Sequence, residues 1–272
     1  MAVHSVYKST INVETEGWFL ALQPTGLPLT PMSVTLDLDP KEFSRLPIQK
    51  GDLVHFDGQG LHMSGIRFAN HHASVVECSI LDLSIVDPRE QQRLSDEIAR
   101  NLFAQIGKGE MVAAARSVLT HTPTQLSSIG RHIAEVLLML SSAHEPELIV
   151  KQSMRLLGVG EGLTPSGDDF LCGELAALTL LSQNPDVMTL RERLTTTLRN
   201  RVSGTTRISQ EYILHAIEGQ FTALVRQLVL ANAQQHDFVP VLNELRSIGH
   251  SSGSDFLIGL YFGLTIGGNV NP

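Results

Sequence analysis

Two glycine-rich segments, residues 158–173 and 249–259, carry the residue types most suited to binding a small ligand. Each has a serine and a glycine, then an aspartate and an apolar run, an order typical of a helix start, where free backbone N–H groups can bind an anion. We call these segments the first repeat and the second repeat. They match in register at six positions: Ser166, Gly167, Asp169, Phe170, Leu171 and Gly173 against Ser252, Gly253, Asp255, Phe256, Leu257 and Gly259.

The shared serine and aspartate have two interpretations. In the first, Ser166 and Ser252 cap their helices. The carboxylates of Asp169 and Asp255, three residues later, accept hydrogen bonds from the backbone N–H groups of these serines, as in a capping box. In the second, substrate is bound by these four side chains and by the two neighbouring glycines, Gly167 and Gly253. The sequence leaves both interpretations open.

Glycines inside the two helices predict that the helices cross closely. Gly173 and Gly259 lie about one turn inside, where glycine costs about 1 kcal/mol relative to alanine. Gly263 and Gly267 follow at four-residue intervals and make a smooth stripe on one helix face. We therefore expect two helices in near contact around a local pseudo-twofold axis, with both N-termini facing one pocket.

The first repeat contains more than a helix cap requires. Three alternating glycines, Gly158, Gly160 and Gly162, allow the backbone to fold around an anion, and Thr164 and Ser166 add hydroxyls. The segment is not a Walker loop, because no lysine follows its last glycine, and the helical pattern before it argues against a Rossmann fingerprint. We therefore expect a loop that binds a phosphate or carboxylate group.

Charged side chains beside the repeats are candidates for chemistry. Asp168 has Ser254 as its counterpart in the second repeat, so capping does not account for it. It could orient an amino or amide group, act as a base or, with Glu161, hold a divalent cation; the alternative is an acidic residue that suits the helix dipole. His250 lies next to the serines of the second repeat and could act as an acid, a base or a hydrogen-bond donor.

A third segment, residues 203–209, also leads into a helix. Its Arg207 could clamp a carboxylate or phosphate, because a guanidinium offers two parallel donors. Thr206 and Ser209 are helix caps by default and bind substrate in the alternative interpretation. We assign the catalytic roles to three residues: Asp168, His250 and Arg207.

The composition excludes several classes of protein. A net charge of −8, with no run of lysine or arginine, argues against a nucleic-acid surface. No His-Glu-x-x-His or Cys-x-x-Cys spacing supports a zinc site, so we predict no metal or cofactor, with a divalent cation as the alternative. Two cysteines cannot cross-link 272 residues, and no apolar run reaches the ~20 residues of a membrane span. We expect a cytoplasmic protein without a membrane partner.

The first third of the chain has the patterns of strands. Alternating apolar and polar residues, or runs rich in β-branched residues, occur at residues 33–38, 53–56, 61–68 and 74–85. Asp57-Gly58 predicts a hairpin turn, and Pro88 ends the last run. We predict a β-rich N-terminal domain over residues 1–88, built as an antiparallel sheet or a barrel.

Beyond Pro88, apolar residues recur at three- and four-residue spacing, which predicts helices to the end of the chain. The predicted helices cover residues 89–106, 110–119, 125–140, 147–157, 168–181, 190–202, 210–218, 221–233, 239–248 and 255–266. Because strands come first and helices follow without alternation, we predict an α+β fold, in which a larger all-helical domain over residues 89–272 carries the two loop–helix repeats.

The order of the motifs resembles a known bacterial family. The chain has Gly-x-Gly-x-Gly-Leu-Thr-Pro-Ser-x-Asp-Asp over residues 158–169, Thr-x-x-Ser over 206–209, and Gly-His-x-Ser-Gly-x-Asp-x-x-x-Gly over 249–259. It resembles a family long catalogued as a domain of unknown function, whose members have been called carboxylases and which includes the third subunit of oxamate carbamoyltransferase in allantoin breakdown. The likeness is specific in the helical half, whereas the N-terminal strands match in character only.

The resemblance implies a function in purine nitrogen catabolism. A carbamoyl or carboxyl group would move between a phosphate-activated carrier and a small amide or carboxylate. The implied partners are other enzyme subunits and a small anionic substrate such as carbamoyl phosphate or a short carboxylate.

Two further hypotheses stand beside the transferase. One is a non-catalytic subunit for assembly or regulation, which binds a small anion or uses its paired glycine helices as an interface. The other is a metal-dependent hydrolase built on three carboxylates, those of Asp168, Asp169 and Asp255.

Overall fold

The structure of the protein is a computed structural model that describes residues 1–15, 17–104, 109–122 and 125–269. The chain forms two compact units, Met1–Cys78 and Ser79–Pro272, and each contains its own hydrophobic cluster. Ile80 and Ile85 are buried in the core of the second unit. The predicted domain division after residue 88 stays a prediction.

The first unit contains two small sheets. The first sheet has β1 (Ala2–Val6), β2 (Ile11–Glu14), β3 (Phe19–Gln23) and β4 (Ser33–Thr35), and the second, which follows the short helix α1 (Pro40–Phe43), has β5 (Val54–Phe56), β6 (Gly60–Met63) and β7 (Ile66–Ala69). Neighbouring strands are antiparallel, except that β4 runs parallel to β3. Because neither sheet closes within the described residues, the predicted sheet is confirmed and the barrel alternative is wrong.

Turn residues and competing hydrogen bonds explain two differences from the predicted strands. Residues 61–68 form two strands instead of one, because Ser64 and Gly65 both have positive φ and make a second tight turn. The predicted strand 74–85 is wrong: Ser79 makes only an isolated bridge with Gln220, and the N–H groups of Ile80 and Ile85 donate to carbonyls of the helical unit.

The second unit is helical, as predicted. Its helices are α2 (Pro88–Ala104), α3 (Glu110–Thr120), α4 (Ser128–Ser141), α5 (Pro146–Ser153), α6 (Ser166–Leu180), α7 (Pro185–Arg201), α8 (Arg207–Ile217), α9 (Ala223–Ala233), α10 (Val239–Arg246) and α11 (Ser252–Asn269). Short 3₁₀ turns follow α5 and α7, at Met154–Leu156 and Val202–Gly204. The end of the predicted helix 89–106 lies outside the described residues. The α+β fold class is confirmed.

Helices α6 and α11 form the centre of the helical unit. Nearly every residue of α6 is buried, and both helices are apolar on all sides, which is typical of helices enclosed by others. Helices α2, α3, α4 and α10 pack against α11, and helices α7 and α8 pack against α6. In the described part of the chain, no helix has the length and apolar content needed to cross a bilayer.

Candidate functional site

The two central helices cross at their glycines, as predicted. A Cβ atom on Gly173 would lie 2.0 Å from the carbonyl oxygen of Phe256, and one on Gly259 would lie 1.9 Å from that of Phe170. Phe256 and Phe170 are themselves equivalent residues of the repeats, so the contact is reciprocal about a pseudo-twofold axis. Any side chain at either glycine would force the two backbones apart.

The glycine in the first turn of each helix packs tightly against the backbone that precedes the helix. A Cβ atom on Gly167 would lie 1.9 Å from the carbonyl oxygen of Leu156, and one on Gly253 would lie 1.8 Å from that of Leu245. The N–H of Gly167 donates to Val159, and the N–H of Gly253 donates to the carbonyl of Ile248. Both first-turn N–H groups are therefore engaged within the protein.

Each serine of the repeats is the first residue of its helix. Ser166 is the first residue of α6, whose cap position is Pro165, and no side chain caps this helix. Ser252 is likewise the first residue of α11. The capping-box interpretation of Ser166 is therefore wrong, because the chain enters the helix one residue earlier than the pattern predicts.

The two repeats meet through their hydroxyls. The Oγ1 atom of Thr164 lies 3.0 Å from the Oγ atom of Ser252, although the two residues are 88 positions apart in the chain. Thr206 joins the same place, since its hydroxyl donates to the carbonyl of Leu163. We call this meeting point, formed by residues 158–169, 203–209 and 249–255, the repeat junction.

A pair of carboxyl groups, Asp169 and Asp255, lies at the repeat junction. Asp255 is fully buried, and the hydroxyls of Ser166 and Ser251 hydrogen-bond its carboxyl group, as those of Ser252 and Thr164 do for Asp169. Burial raises the pKa of Asp255 to about 7, although the nearby hydroxyls of Ser166 and Ser251 oppose the rise. Burial, and then the charge of Asp255, raise the pKa of Asp169 well above its usual range. We call these two side chains the carboxyl pair.

Asp168 points to a different set of partners. Its Oδ1 atom accepts a 2.7 Å hydrogen bond from the N–H of Gly158, and its Oδ2 atom accepts one from the hydroxyl of Thr205. Burial raises the pKa of Asp168, and the bonds from Thr205 and Gly158 oppose this rise. The carboxylate thus ties the start of the first repeat to the third segment.

The third segment presents Arg207 on the first turn of α8. Thr206 caps this helix by accepting a 3.2 Å hydrogen bond from the N–H of Ser209, so its default interpretation as a cap is confirmed. Arg207 forms an ion pair with Glu211, with 2.8 Å between Nη1 and Oε1. The guanidinium is therefore held by a carboxylate one turn further along the same helix.

Two family models match this chain. Residues 2–76 match the AllH family N-terminal domain, and residues 156–264 match the oxamate carbamoyltransferase subunit AllH. The chain belongs to the AllH family. This confirms the family suspected from the motifs and places the chain among carbamoyltransferase-related subunits. No solved structure matches the chain.

The AllH match spans the whole repeat junction. It begins two residues before Gly158 and ends inside α11, so every predicted site residue falls within it. Gly160 and Gly162 have positive φ, and Gly160 packs against the N–H of Ser166. His250 is exposed beside the second repeat. The catalytic and binding roles of all these residues stay predictions.

One buried charged residue of this AllH chain, Glu174, was not among the predicted site residues. Glu174 is fully buried in α6, where its Oε1 atom accepts a 2.8 Å hydrogen bond from Ser153 and its Oε2 atom has no partner among the described residues. Burial raises its pKa to about 7. Its signal in the sequence is the single charged residue beyond Asp169 in a largely apolar helix, at the position where the second repeat has Leu260.

The carboxylates of the helical unit do not gather into a metal-binding group. Within the described ranges, no three histidine, cysteine, aspartate or glutamate side chains converge as metal ligands. Asp168 bonds to Gly158 and Thr205, whereas the carboxyl pair lies between the two repeats. The repeat junction thus contains hydroxyls, the guanidinium of Arg207 in its ion pair with Glu211, and a pair of carboxyls.

Proposed function

We propose that the chain is the small-molecule-binding subunit of an enzyme that transfers a carbamoyl or carboxyl group to a small amide or carboxylate, as oxamate carbamoyltransferase does. The observation that carries the proposal is the repeat junction itself. Two glycine-rich helix starts, far apart in the chain, meet within hydrogen-bond distance inside the region that matches the AllH model. In this proposal the substrate is a small anion such as carbamoyl phosphate or a short carboxylate, and the pathway is allantoin breakdown.

The anionic end of the substrate would bind on the side of the first repeat. Thr164 has its hydroxyl there, beside that of Ser252, and Thr206 caps the helix that begins with Arg207. Because Gly167 and Gly253 already use their N–H groups, hydroxyls and the guanidinium supply the donors in this proposal. The loop of Gly160 and Gly162 then acts through its shape, which brings backbone close to the ligand.

Asp168 acts in this proposal as a positioning residue. Both its oxygens already accept hydrogen bonds, so it holds the first repeat against the third segment and does not need to take a proton from substrate. Catalysis would come mainly from placing the reacting groups together and from stabilising the negative charge that develops during transfer. Arg207 is the residue suited to the second task, and His250 remains the candidate acid or base.

Calorimetry with the full-length chain tests the proposal. Carbamoyl phosphate and oxamate are the two probes, and the variants are Thr164→Val, Arg207→Met and the control Thr196→Val, which changes an exposed threonine of α7. We expect the wild type and the control to bind at least one probe equally well. Thr164→Val and Arg207→Met should each weaken binding about tenfold or more, because each removes a donor to a charged group.

Reconstitution with the partner subunits is the second half of the test. Turnover of carbamoyl phosphate should require the chain and should fall with the same variants that weaken binding. A chain that binds neither probe, and whose variants leave turnover of the complex unchanged, would contradict the proposal.

A non-catalytic subunit is the second candidate. One observation favours it: the N–H groups of Gly167 and Gly253 donate to carbonyls of the protein, so the repeats also serve to build the fold. The glycine stripe does not supply an interface to another chain, because Gly263 packs on Ala177 and Gly267 on Leu181 inside the helical unit. This candidate predicts that the complex assembles normally around variants of Thr164 and Arg207 and keeps full turnover.

A further inference from the structure

A groove in the first unit lies between two strands that do not pair with each other, β4 and β7. Its volume is about 810 Å³, and most of the side chains that line it are apolar. Val34 and Thr35 of β4 line one wall, and Phe68 and Ala69 of β7 line another. The groove therefore separates the last strand of one sheet from the last strand of the other.

The two sheets are joined on their other side, through β1 and β5. Ala2 of β1 bridges Leu53, and the N–H of Val54, the first residue of β5, donates to the carbonyl of Met1 at 2.9 Å. The strand order of the unit is therefore β4-β3-β2-β1-β5-β6-β7, and both sheets pack on one apolar core. Because the two end strands line the same groove, the joined sheet curls around this core and stops short of a closed barrel.

The backbone at both edges of the groove points away from the neighbouring strand. The N–H of Asn70 donates to the carbonyl of Gln59, and bonded pairs alternate in an antiparallel ladder, so the N–H and C=O of Ala69 point away from β6. On β4, the N–H of Leu36 donates to the carbonyl of Gln23, so the backbone of Thr35 points away from β3. A strand edge of this kind is a template for another extended segment.

Large apolar side chains line the groove and remain exposed. Trp18 is 49% exposed, Phe56 is 50% exposed and Val34 is 37% exposed. Leu61 and Phe68 line the groove and also pack on the core of the unit. The groove is thus an opening into the core, and contiguous apolar surface that stays exposed is typical of an interaction site.

We propose that this groove binds an extended segment of a partner subunit, which adds as a strand between β4 and β7 and closes the barrel. Both walls are strand edges, so the occupant has to bring an extended backbone, which a helix or a small molecule does not have. The chain's own continuation does not take this place, because the described residues 74–76 are exposed and join no strand. The chain belongs to a family of enzyme subunits, so the enzyme itself supplies partner chains.

The groove also defines the chemistry of the segment. Successive side chains of a strand point to opposite faces, so alternate residues of the segment should be apolar and face the core. The exposed carboxylate of Asp37 lies at the groove and favours a lysine or arginine at one end of the segment. Since β4 has three residues and β7 has four, pairing would extend over three or four residues. This inference does not depend on the substrate assigned to the repeat junction.

Binding of the purified partner subunits to the full-length chain tests the proposal. Ala69→Pro removes the N–H at the edge of β7 without removing a bond to β6, and Ala69→Ser is its control, because serine keeps that N–H. Val34→Asp places a charge on the apolar wall, and its control is Val86→Asp, which changes an exposed valine of the helical unit. We expect Ala69→Pro and Val34→Asp each to weaken binding about tenfold or more, and both controls to bind as the wild type does.

Trp18 gives a direct measurement of the groove, because it is the single tryptophan of the chain. When it is replaced by 5-hydroxytryptophan during expression, its fluorescence can be excited apart from that of tryptophans in the other subunits. We expect iodide to quench this fluorescence in the free chain and to quench it much less in the complex. Thermal melting shows whether each variant folds, and if one of the two groove variants does not fold, the other variant and the Trp18 measurement on the wild type decide the matter.

Several results would overturn the proposal. They are failure of the partner subunits to bind the wild type, equal binding to the wild type and both groove variants, and a complex in which iodide still reaches Trp18. Self-association of the free chain that shields Trp18 would also overturn it, because a second copy would then occupy the groove. A wild-type chain that binds the partner subunits but no carbamoyl phosphate would count against the proposed function alone.

Discussion

The first and second repeats share a helix start but differ in the loop that leads into it. Both use their glycines in the same reciprocal backbone contacts, and both place an aspartate in the carboxyl pair. The first repeat alone has three alternating loop glycines with positive φ and has Asp168 where the second has Ser254. Residues common to the repeats therefore build the symmetric helix pair, and the residues that differ make the junction asymmetric.

The largest effect should come from the glycines that the repeats share. Gly173→Ala and Gly259→Ala would each place a Cβ atom about 2 Å from a backbone carbonyl, at 2.0 and 1.9 Å. Because a backbone carbonyl cannot move aside cheaply, we expect each variant to lose ~3 kcal/mol or more of unfolding free energy, or to fail to fold. Urea unfolding measures this.

Gly204→Ala is the matched control for the glycine variants. Its new Cβ atom would meet only Leu157, at an ordinary 3.6 Å, so its unfolding free energy should stay within about 0.5 kcal/mol of the wild type. Unequal losses for Gly173→Ala and Gly259→Ala, differing by more than a factor of two, would count against the pseudo-twofold description.

The next effect concerns Glu174, which has an apolar counterpart in the second repeat. Burial raises its pKa from an ordinary 4.5 to about 7, so the folded chain keeps a proton that the unfolded chain has released. The resulting stabilisation is complete below pH 4.5 and is lost as the pH rises through 7. The Glu174→Gln variant has no ionisable group at this position. We therefore expect its unfolding free energy, measured relative to that of the wild type, to be up to roughly 3 kcal/mol higher at pH 8 than at pH 4.5.

Urea unfolding of both proteins at a series of pH values tests the Glu174 prediction. The carboxyl pair titrates in both chains, so its contribution cancels in the comparison. Parallel pH profiles for wild type and Glu174→Gln would mean that Glu174 is not the proton-binding group.

A third experiment exchanges the residue that distinguishes the repeats. Asp168→Ser gives the first repeat the residue of the second and leaves the N–H of Gly158 and the hydroxyl of Thr205 without their acceptor. We expect a loss of about 1–3 kcal/mol of unfolding free energy, together with weaker carbamoyl phosphate binding. Asp168→Asn keeps one acceptor oxygen and should recover much of the binding. Complete loss of turnover in Asp168→Asn with unchanged binding would instead identify Asp168 as a base.

The smallest effect should come from removing the direct contact between the repeats. Thr164→Val and Ser252→Ala each remove one hydroxyl of the 3.0 Å pair. A double-mutant cycle on unfolding free energy should give a coupling of about 0.5–1 kcal/mol, the usual net value of one hydrogen bond. Additive single effects would show that the two hydroxyls do not interact in solution.

Patterns carried by neighbouring residues predicted much of the fold. The apolar spacing located the helices of the second unit, and the positions of Gly173 and Gly259 predicted their close crossing. These predictions succeed because helical periodicity and the absence of a side chain act over one or two turns. The strand predicted over residues 74–85 was wrong because its hydrogen-bond partners are distant in the chain. The N–H groups of Ile80 and Ile85 donate to the carbonyls of Gly219 and Leu180.

The sequence predicted which segments form the site but not which partners their side chains contact. Ser166 and Asp169 fit the pattern of a cap, yet Pro165 occupies the cap position and Asp169 joins Asp255. The sequence predicted that Asp168 could be an orienting group, a base, a cation ligand or a residue that suits the helix dipole, whereas in the structure Gly158 and Thr205 hydrogen-bond both its oxygens. The partners of a buried polar group come from other elements, so local spacing does not identify them.

By itself, the sequence determined the α+β order, the repeated helix starts and the family, because each depends on residues close together in the chain or on motifs in a set order. Tertiary structure alone decided that the two repeats meet and that Asp168 links the first repeat to the third segment by hydrogen bonds. It also decided that burial raises the pKa values of Asp169, Asp255 and Glu174. The physical reason is that burial and hydrogen bonding set the protonation and the availability of a polar group, and both depend on which distant segments pack around it.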